Sequence, residues 1–168
     1  MRKLFYLAAI VFLATTGTYA QSVKFGHINS AELLQQMPAT KAADSSLQKY
    51  ARELDGQYKT MVTEYQTKLQ SFQNGSELMA DAVKQSKIKE LTDLETRIQD
   101  FQDSAQESVQ KKKQELYSPI IDKAEKAIKD IAREKSYSYI FDTSTGTVLF
   151  AQESDDITKM VKDKLGLK

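Results

Sequence analysis

The chain has 168 residues, which is enough for one domain or for one small domain that carries an extension. Only six glycines and two prolines interrupt it, and this favours long helices over an all-β fold. Cysteine is absent and His27 is the one histidine, so disulfides, thiol nucleophiles and Cys/His zinc sites are excluded. A Ser-His-Asp hydrolase would depend on that single histidine. We therefore expect a protein that is not an enzyme and that binds no cofactor and no metal.

The first twenty residues have the pattern of a secretory signal peptide. Arg2 and Lys3 precede an apolar run over residues 4–14, and the small residue Ala20 stands at the expected cleavage position. The apolar run is shorter than the roughly 20 residues that a membrane-spanning helix needs. The mature chain would begin at Gln21 and carry 22 basic and 23 acidic residues, because Arg2 and Lys3 are removed. A net charge of −1 gives no electrostatic attraction to nucleic acid, so no nucleic-acid partner is expected.

Short strands are predicted at both ends of the mature chain. Residues 22–28 alternate in polarity, and residues 137–141 form a second segment that is rich in aromatic residues. Turn residues at 142–146 and a third β-type segment at 147–151 predict a hairpin. A last short helix is predicted over residues 157–165, directly behind the acidic pair Asp155-Asp156.

Three short strands leave open edges and cannot cover both of their faces, so this body needs a partner, most simply another copy of the chain. We expect the contact between copies to use apolar strand residues, namely Val23, Phe25, Tyr139, Phe141, Val148 and Phe150. His27 lies within the first of these strands. A structural role is expected for it rather than a ligand role, because the chain offers neither a cysteine nor a second histidine.

Between the two ends, about a hundred residues predict an antiparallel helical hairpin. Asn74-Gly75-Ser76 is the one strong turn signal between Pro38 and Pro119. Apolar residues recur at steps of three and four on both sides of it, which indicates an apolar stripe on each helix. The stripes consist of Leu47, Tyr50, Leu54, Tyr58, Met61, Tyr65, Leu69 and Phe72 before the turn, and of Ile88, Leu91, Leu94, Ile98, Phe101 and Ala105 after it. The outgoing helix would be roughly 50 Å long, so the hairpin must project as an arm.

These patterns predict a body formed by residues 21–38 and 119–168 and an arm formed by residues 39–118, with its turn at 74–76. Asn29 and Glu32 have the spacing of a capping box, which predicts a short helix that starts near Asn29 and ends at Pro38. Ser118 before Pro119 predicts the start of another helix. We interpret both prolines as candidate hinges, because proline removes a helix hydrogen bond; simple element boundaries are the alternative.

The order of strand, long helical hairpin, strand, turn, strand and short helix in an exported chain resembles the Skp/OmpH family of periplasmic chaperones. The resemblance covers residues 21–168. Four segments carry it, and they are Val23-Lys24-Phe25-Gly26-His27-Ile28-Asn29-Ser30, Leu116-Tyr117-Ser118-Pro119-Ile120, Tyr137-Ser138-Tyr139-Ile140-Phe141-Asp142 and Asp155-Asp156-Ile157-Thr158. The fold that it implies is α+β and mostly α. Three short strands per subunit are pooled in an oligomeric barrel, and a long antiparallel helical hairpin protrudes from it.

The resemblance implies a periplasmic homotrimer whose arms surround a cavity. In that family the cavity holds unfolded outer-membrane proteins without ATP and prevents their aggregation, and transient contact with the membrane or the outer-membrane assembly machinery is implied as well. Most stripe residues are needed to pack the two helices together. Apolar residues near or beside the stripes are therefore the better candidates for client contact, namely Val62, Leu78, Met79 and Val83.

The charge of this chain departs from that of the best-known members of the family, which are markedly basic. Residues 76–89, at the predicted tip, carry a net charge of only +1. We therefore carry over neither electrostatic capture of clients nor a lipopolysaccharide site. The alternative function that the sequence leaves open is a structural coiled-coil spacer or adaptor of the cell envelope. Such a scaffold would bind one partner, whereas a chaperone would bind many unfolded proteins.

Overall fold

The computed structural model describes residues 23–167, so the predicted signal peptide at residues 1–20 lies outside the described part of the chain. The elements in chain order are β1 (Phe25–Ile28), α1 (Ser30–Gln36), α2 (Pro38–Gly75), α3 (Asp81–Glu134), β2 (Tyr139–Asp142) and α4 (Thr158–Leu165). Two short 3₁₀ turns lie at Ser76–Leu78 and Glu153–Asp155. The predicted fold class, α+β and mostly α with a long helical hairpin, is confirmed.

Strands β1 and β2 lie side by side and run parallel, although they come from opposite ends of the chain. Phe25 is paired with Tyr139, and Ile28 is paired with Asp142. Beyond the last pair, the amide of Thr143 donates to the carbonyl oxygen of Ile28 at 2.9 Å. Parallel neighbours require a crossover connection, and here the whole helical arm forms that crossover.

The core of the body lies on the inner side of this sheet. Gly26 and Ile28 point inward from β1, and Gly26 leaves room for the side chains of Tyr137 and Ile157. A Cβ atom at position 26 would lie 3.0 Å from Cε1 of Tyr137 and 3.1 Å from Cγ2 of Ile157. The buried core consists of Ile28, Leu33, Met37, Ala43, Ile120, Ala124, Ala127, Ile131, Ile157 and Val161. The members from α3 recur at steps of four, three and four, so one face of that helix covers the sheet.

The short helices begin and end where the sequence predicts. The side chain of Asn29 accepts a hydrogen bond from the amide of Glu32 at 3.1 Å, which caps α1. Helix α1 ends before Pro38, which is the first residue of α2. The carboxylate of Asp156 accepts from the amide of Thr158 at the start of α4. Gly166 ends α4 in the left-handed conformation, with φ of 70°.

The arm consists of α2 and the first two thirds of α3, which pack as antiparallel neighbours. The Nζ atom of Lys68 lies 2.5 Å from Oε1 of Glu90 near the tip, and the hydroxyl of Tyr117 donates to Asp44 near the body. The turn lies slightly later than predicted. Helix α2 continues through Asn74 to Gly75, and the chain reverses over residues 76–80.

The predicted hairpin between residues 137–141 and 147–151 is wrong for this single chain. Within the described residues, the only strands are β1 and β2, and residues 147–151 form no strand. The first strand pairs in parallel with the second, and Leu149 and Phe150 are 96% and 82% exposed. An apolar segment forms a strand only beside another strand, and the described part of the chain offers none to residues 147–151.

The predicted helix start at Ser118-Pro119 is also wrong, because Pro119 lies inside the continuous helix α3. Proline leaves the carbonyl of the residue four positions earlier without its helix hydrogen bond. That residue, Glu115, is exposed, so water can donate a hydrogen bond to its carbonyl oxygen. Packing of Leu116 and Ile120 against the core holds the helix together on both sides of the proline.

Candidate functional site: the aromatic face and the helical arm

The outer face of the sheet presents a cluster of stacked aromatic rings. The ring centroids of Phe25 and Tyr139 are 5.9 Å apart, and Phe141 lies 6.1 Å from Phe25 and 6.3 Å from Tyr139. Strand pleating explains the cluster, because alternate residues of β1 and β2 point to the same side. The three side chains remain 49%, 60% and 45% exposed in the order Phe25, Tyr139, Phe141. Exposed apolar patches of this kind mark interaction surfaces.

The other predicted contact residues surround this cluster. Val148 and Phe150 line one groove together with Phe25 and Phe141, so the structure brings the predicted loop residues to the strands. Val23 precedes β1 by two residues and is 53% exposed. The sequence reasoning missed Leu149, the most exposed apolar residue of this region. The signal for it was available, because residues 148–150 are three consecutive apolar positions and a single sheet face cannot cover all of them.

His27 ties the first strand to the segment that precedes α4. Its Nε2 atom lies 2.9 Å from the carbonyl oxygen of Gln152, and that oxygen can only accept, so Nε2 carries the proton. The carbonyl of His27 accepts from the amide of Ile157 at 3.0 Å. This geometry is that of a structural histidine. Between residues 23 and 167, no group of three or more His, Cys, Asp or Glu side chains is arranged to hold a metal ion.

Asp142 joins the end of β2 to the start of α1. Its carboxylate accepts from the hydroxyl of Ser30 at 2.5 Å, from the amide of Ser30 at 3.2 Å and from the amide of Ser144 at 2.9 Å. Partial burial raises the pKa of this carboxyl, but the hydrogen bonds from Ser30 and Ser144 outweigh burial and lower the pKa to about 2. The ionised group therefore holds the sheet against the first helix at neutral pH.

The seam between the two helices of the arm is buried in its tip half and at the body, but not in between. Leu91 and Leu94 are buried in the tip half, whereas no residue from 95 to 119 is buried. Tyr50, Tyr58 and Tyr65 of the outgoing stripe are all half-buried. Tyrosine tolerates such a partly wet seam because it has an apolar body and a polar end.

The structure separates the four predicted client-contact residues. Leu78 is 94% exposed at the tip, and Val83 is 48% exposed in the first turn of α3. Met79 is half-buried and lines a small cavity at the tip with Phe72 and Leu91, while Val62 is half-buried on α2, far from the other three along the chain. Ile88 was predicted to pack in the seam, yet it is 47% exposed.

An ion-pair cluster fastens the two helices below the tip. Glu90 on α3 accepts from Lys68 at 2.5 Å and from Lys87 at 3.0 Å, and Lys68 also lies 3.7 Å from Glu64. The hydrogen bond from Lys68, followed by that from Lys87, lowers the pKa of Glu90 to about 2. The same contact with Glu90 raises the pKa of Lys68. The charges of this cluster are compensated within the arm.

Comparison with known proteins places this geometry in a family. Residues 24–165 match the profile of the family described as outer membrane protein (OmpH-like). The chain belongs to the OmpH-like family. It is 22% identical over 162 residues to the chaperone protein Skp of Yersinia enterocolitica, an alignment that covers 94% of this chain and 95% of that protein.

A solved OmpH-like structure has the same fold. It is that of a protein from Caulobacter crescentus described as an outer membrane chaperone (OmpH-like), and it superposes with a TM-score of 0.74 at 16% identity. The superposition covers 89% of this chain and 88% of that one. In the part of this OmpH-like chain that the structure describes, none of the helices combines the length and the apolar character needed to cross a membrane.

Proposed function

We propose that the protein is an ATP-independent holdase chaperone of the periplasm, which binds unfolded outer-membrane proteins between the arms of a homotrimer. The observation that carries this proposal is the combination of an exposed aromatic face on the body with a long, partly open helical arm. Membership of the OmpH-like family and the similarity to a chaperone named Skp support it. On this proposal the signal peptide is removed after Ala20, and the client is held without any chemical step.

Self-association is supported by the aromatic face. Phe25, Tyr139, Phe141 and Phe150 would each lose exposed apolar area on contact with a second copy, at about 25 cal/mol per Å². The free edge of β2 could pair with residues 147–151 of a neighbouring copy, because neither has a strand partner within the described chain. The number of three subunits follows from the family resemblance.

Client contact would be weak at each point and strong in sum. Leu78 and Val83 offer exposed apolar surface at the tip, and Met79 and Val62 offer less. Three arms that surround one unfolded chain add many such contacts, each of them quickly reversible. The body of residues 21–38 and 119–168 would hold the arms of residues 39–118, with Pro38 and Pro119 as the proposed hinges.

The proposal is tested by charge substitutions on the aromatic face. We expect Tyr139→Lys with Phe150→Lys to convert the mature protein to a monomer that no longer suppresses aggregation of a urea-diluted outer-membrane barrel protein. Light scattering coupled to size-exclusion chromatography gives the molar mass of the protein with and without this client. Gln35→Lys with Gln36→Lys adds the same charge at exposed positions of the body and should leave both properties intact.

Two outcomes would contradict the proposal. A monomeric variant that still keeps the client soluble would exclude the cavity between arms as the binding site. A wild-type trimer that ignores the unfolded client but binds one folded envelope protein would favour the spacer or adaptor instead.

A further inference from the structure

We propose that each arm carries its own peptide-binding groove, halfway between body and tip, which takes an extended, uncharged polypeptide segment with alternating apolar side chains. The groove lies between α2 and α3 and encloses about 360 Å³. Its lining consists of Ala51, Leu54, Asp55, Tyr58, Phe101, Gln102, Ala105, Gln106, Val109 and Gln110. This inference rests on the proposed function and adds to it a site and a mode of recognition.

The floor of the groove is apolar and open to solvent. It exists because both helices place alanine in the seam at this height, Ala51 on α2 and Ala105 on α3, where the neighbouring seam positions carry larger side chains. Leu54, Tyr58 and Phe101 therefore remain half-buried instead of interlocking. By contrast, Leu91 and Leu94 close the seam nearer the tip. An apolar side chain from a ligand would complete the packing that the two alanines leave incomplete.

One wall of the groove is a row of amide side chains. Gln102, Gln106 and Gln110 are exposed on α3 and recur every four residues, which places them about 6 Å apart along the helix. An extended chain presents a backbone N–H and C=O to the same edge every second residue, or about every 6.7 Å. Each glutamine can both donate and accept, so the row can pair with a peptide backbone of any sequence.

The groove carries no net charge toward a ligand. Asp55 is the one ionised residue in the lining, and its carboxylate lies 2.7 Å from Nζ of Lys59 on the same helix. The chain as a whole is 28% charged, so a ten-residue lining with a single, compensated charge matches a ligand segment without charges.

The length of the groove sets the length of the bound segment. From Phe101 to Gln110 the wall spans about 13 Å of helix, which corresponds to about four residues of extended chain. Alternate side chains of such a segment would point into the apolar floor, and the others would point to water. Strands of transmembrane β-barrels alternate in this way before they fold.

The test uses a fluorescein-labelled peptide of about ten residues that alternates Leu or Tyr with Ser or Thr. Fluorescence anisotropy measures its binding to the full mature protein. We expect Ala51→Leu with Ala105→Leu to fill the floor and weaken binding about tenfold, since one buried apolar side chain contributes that much. Replacing Gln102, Gln106 and Gln110 together by Ala should weaken binding about fivefold through lost hydrogen bonds. A peptide of the same composition with its apolar residues in one block should bind the wild type more weakly.

Gly56→Ala is the matched control for a stiffer arm. Position 56 lies on the opposite side of α2, and a Cβ atom there meets nothing within 4 Å, so the variant stiffens the helix without filling the groove. We expect it to bind the peptide like the wild type. A photo-crosslinking residue at Gln106 should capture the peptide in the unfilled protein, whereas one at Thr60, on the opposite side of α2, should not. This second measurement needs no filled variant to fold.

Unchanged peptide affinity in a folded, filled variant would overturn the groove, as would equal crosslinking from positions 106 and 60. The two proposals fail in different ways. If the groove variants bind the peptide more weakly but the wild type never keeps an unfolded barrel protein in solution, the holdase proposal fails and the groove stands. If all variants retain both ligands like the wild type, only the groove fails.

Discussion

Asp142 shows how one side chain can fasten two distant parts of the body. It accepts hydrogen bonds from Ser30 and Ser144, and Ser30 is 112 residues away along the chain. We expect Asp142→Asn to lower the free energy of unfolding by about 1–2 kcal/mol at neutral pH, because charge-assisted bonds are replaced by weaker ones. Urea unfolding at fixed protein concentration measures the change.

The pH dependence of this loss follows from the lowered pKa. The Asp142 carboxyl has a pKa of about 2 in the folded protein against an ordinary value of 3.8. Its stabilising effect is therefore fully present above pH 3.8 and is lost as the pH falls toward 2. The difference between wild type and Asp142→Asn should shrink over that window. Asp93→Asn, at an exposed position of α3, is the control; a constant difference down to pH 2 would contradict the role given to Asp142.

Two glycines should respond in opposite ways to the same substitution. We expect Gly26→Ala to destabilise the protein by about 1–3 kcal/mol, because its Cβ atom would be crowded and the side chains of Tyr137 and Ile157 would have to shift. Gly56→Ala should stabilise it by about 1 kcal/mol, since the new methyl group points into open space and alanine favours a helix. Denaturant titration of both variants makes this comparison. Similar effects at the two sites would show that Gly26 is not closely packed.

At the scale of elements, the helical arm and the two strands could be predicted from the sequence, but the pairing of the strands could not. The stripe from Leu47 to Phe72 is a local pattern, and a sustained period of three to four residues indicates a helix without reference to distant parts of the chain. The pairing of β1 with β2 is not local, because the partner of Phe25 lies 114 positions away at Tyr139. Adjacent strands in a sequence usually form hairpins, and that usual rule gave the wrong partner here.

The two candidate surfaces also differ in how far the sequence predicts them. The aromatic residues of β1 and β2 could be selected from strand alternation alone, because a pleated strand places every second side chain on one face. The peptide groove could not be selected, since Ala105 continued the apolar stripe and was interpreted as seam. The sequence does not show that Ala51 of α2 and Ala105 of α3 line one groove, because that depends on the register of the two helices.

Pro119 provides a prediction about the motion of the arm. We expect Pro119→Ala to raise the free energy of unfolding, by up to about 3 kcal/mol, because it restores a helix hydrogen bond to Glu115. If Pro119 is a hinge, the distances between spin labels at Glu125 in the body and Glu77 at the tip should also become more uniform. Ser118→Ala keeps the proline and should leave these distances unchanged; an equally narrow distribution in the wild type would exclude the hinge.

At the scale of the whole molecule, charge should contribute little to client binding. Residues 21–168, the proposed mature chain, carry a net charge of −1, and the ion pairs below the tip compensate one another. We expect the affinity for an unfolded outer-membrane protein to change less than about twofold between about 0.05 and 0.5 M NaCl, although the Debye screening length falls severalfold over this range. Titration of a labelled client at several salt concentrations measures this.

A variant with a basic tip gives the contrast. Glu77→Lys with Asp81→Lys replaces two exposed acidic residues by basic ones, so the net charge of each arm changes by +4. Binding of an acidic client to this variant should weaken as salt rises. A wild-type affinity that falls as steeply as that of the variant would mean that electrostatic capture operates here after all.

The parallel pairing of β1 with β2 also favours one order of folding. Joining Phe25 to Tyr139 directly would close a loop of 114 residues, at a chain-entropy cost of about 4 kcal/mol. If α2 and α3 pack against each other first, the loop that strand pairing must close is only about thirty residues, and its entropy cost falls by about 1 kcal/mol. We therefore expect β1, the first strand of the chain, to find its partner last, after α2 and α3 have packed into the arm on which the body closes.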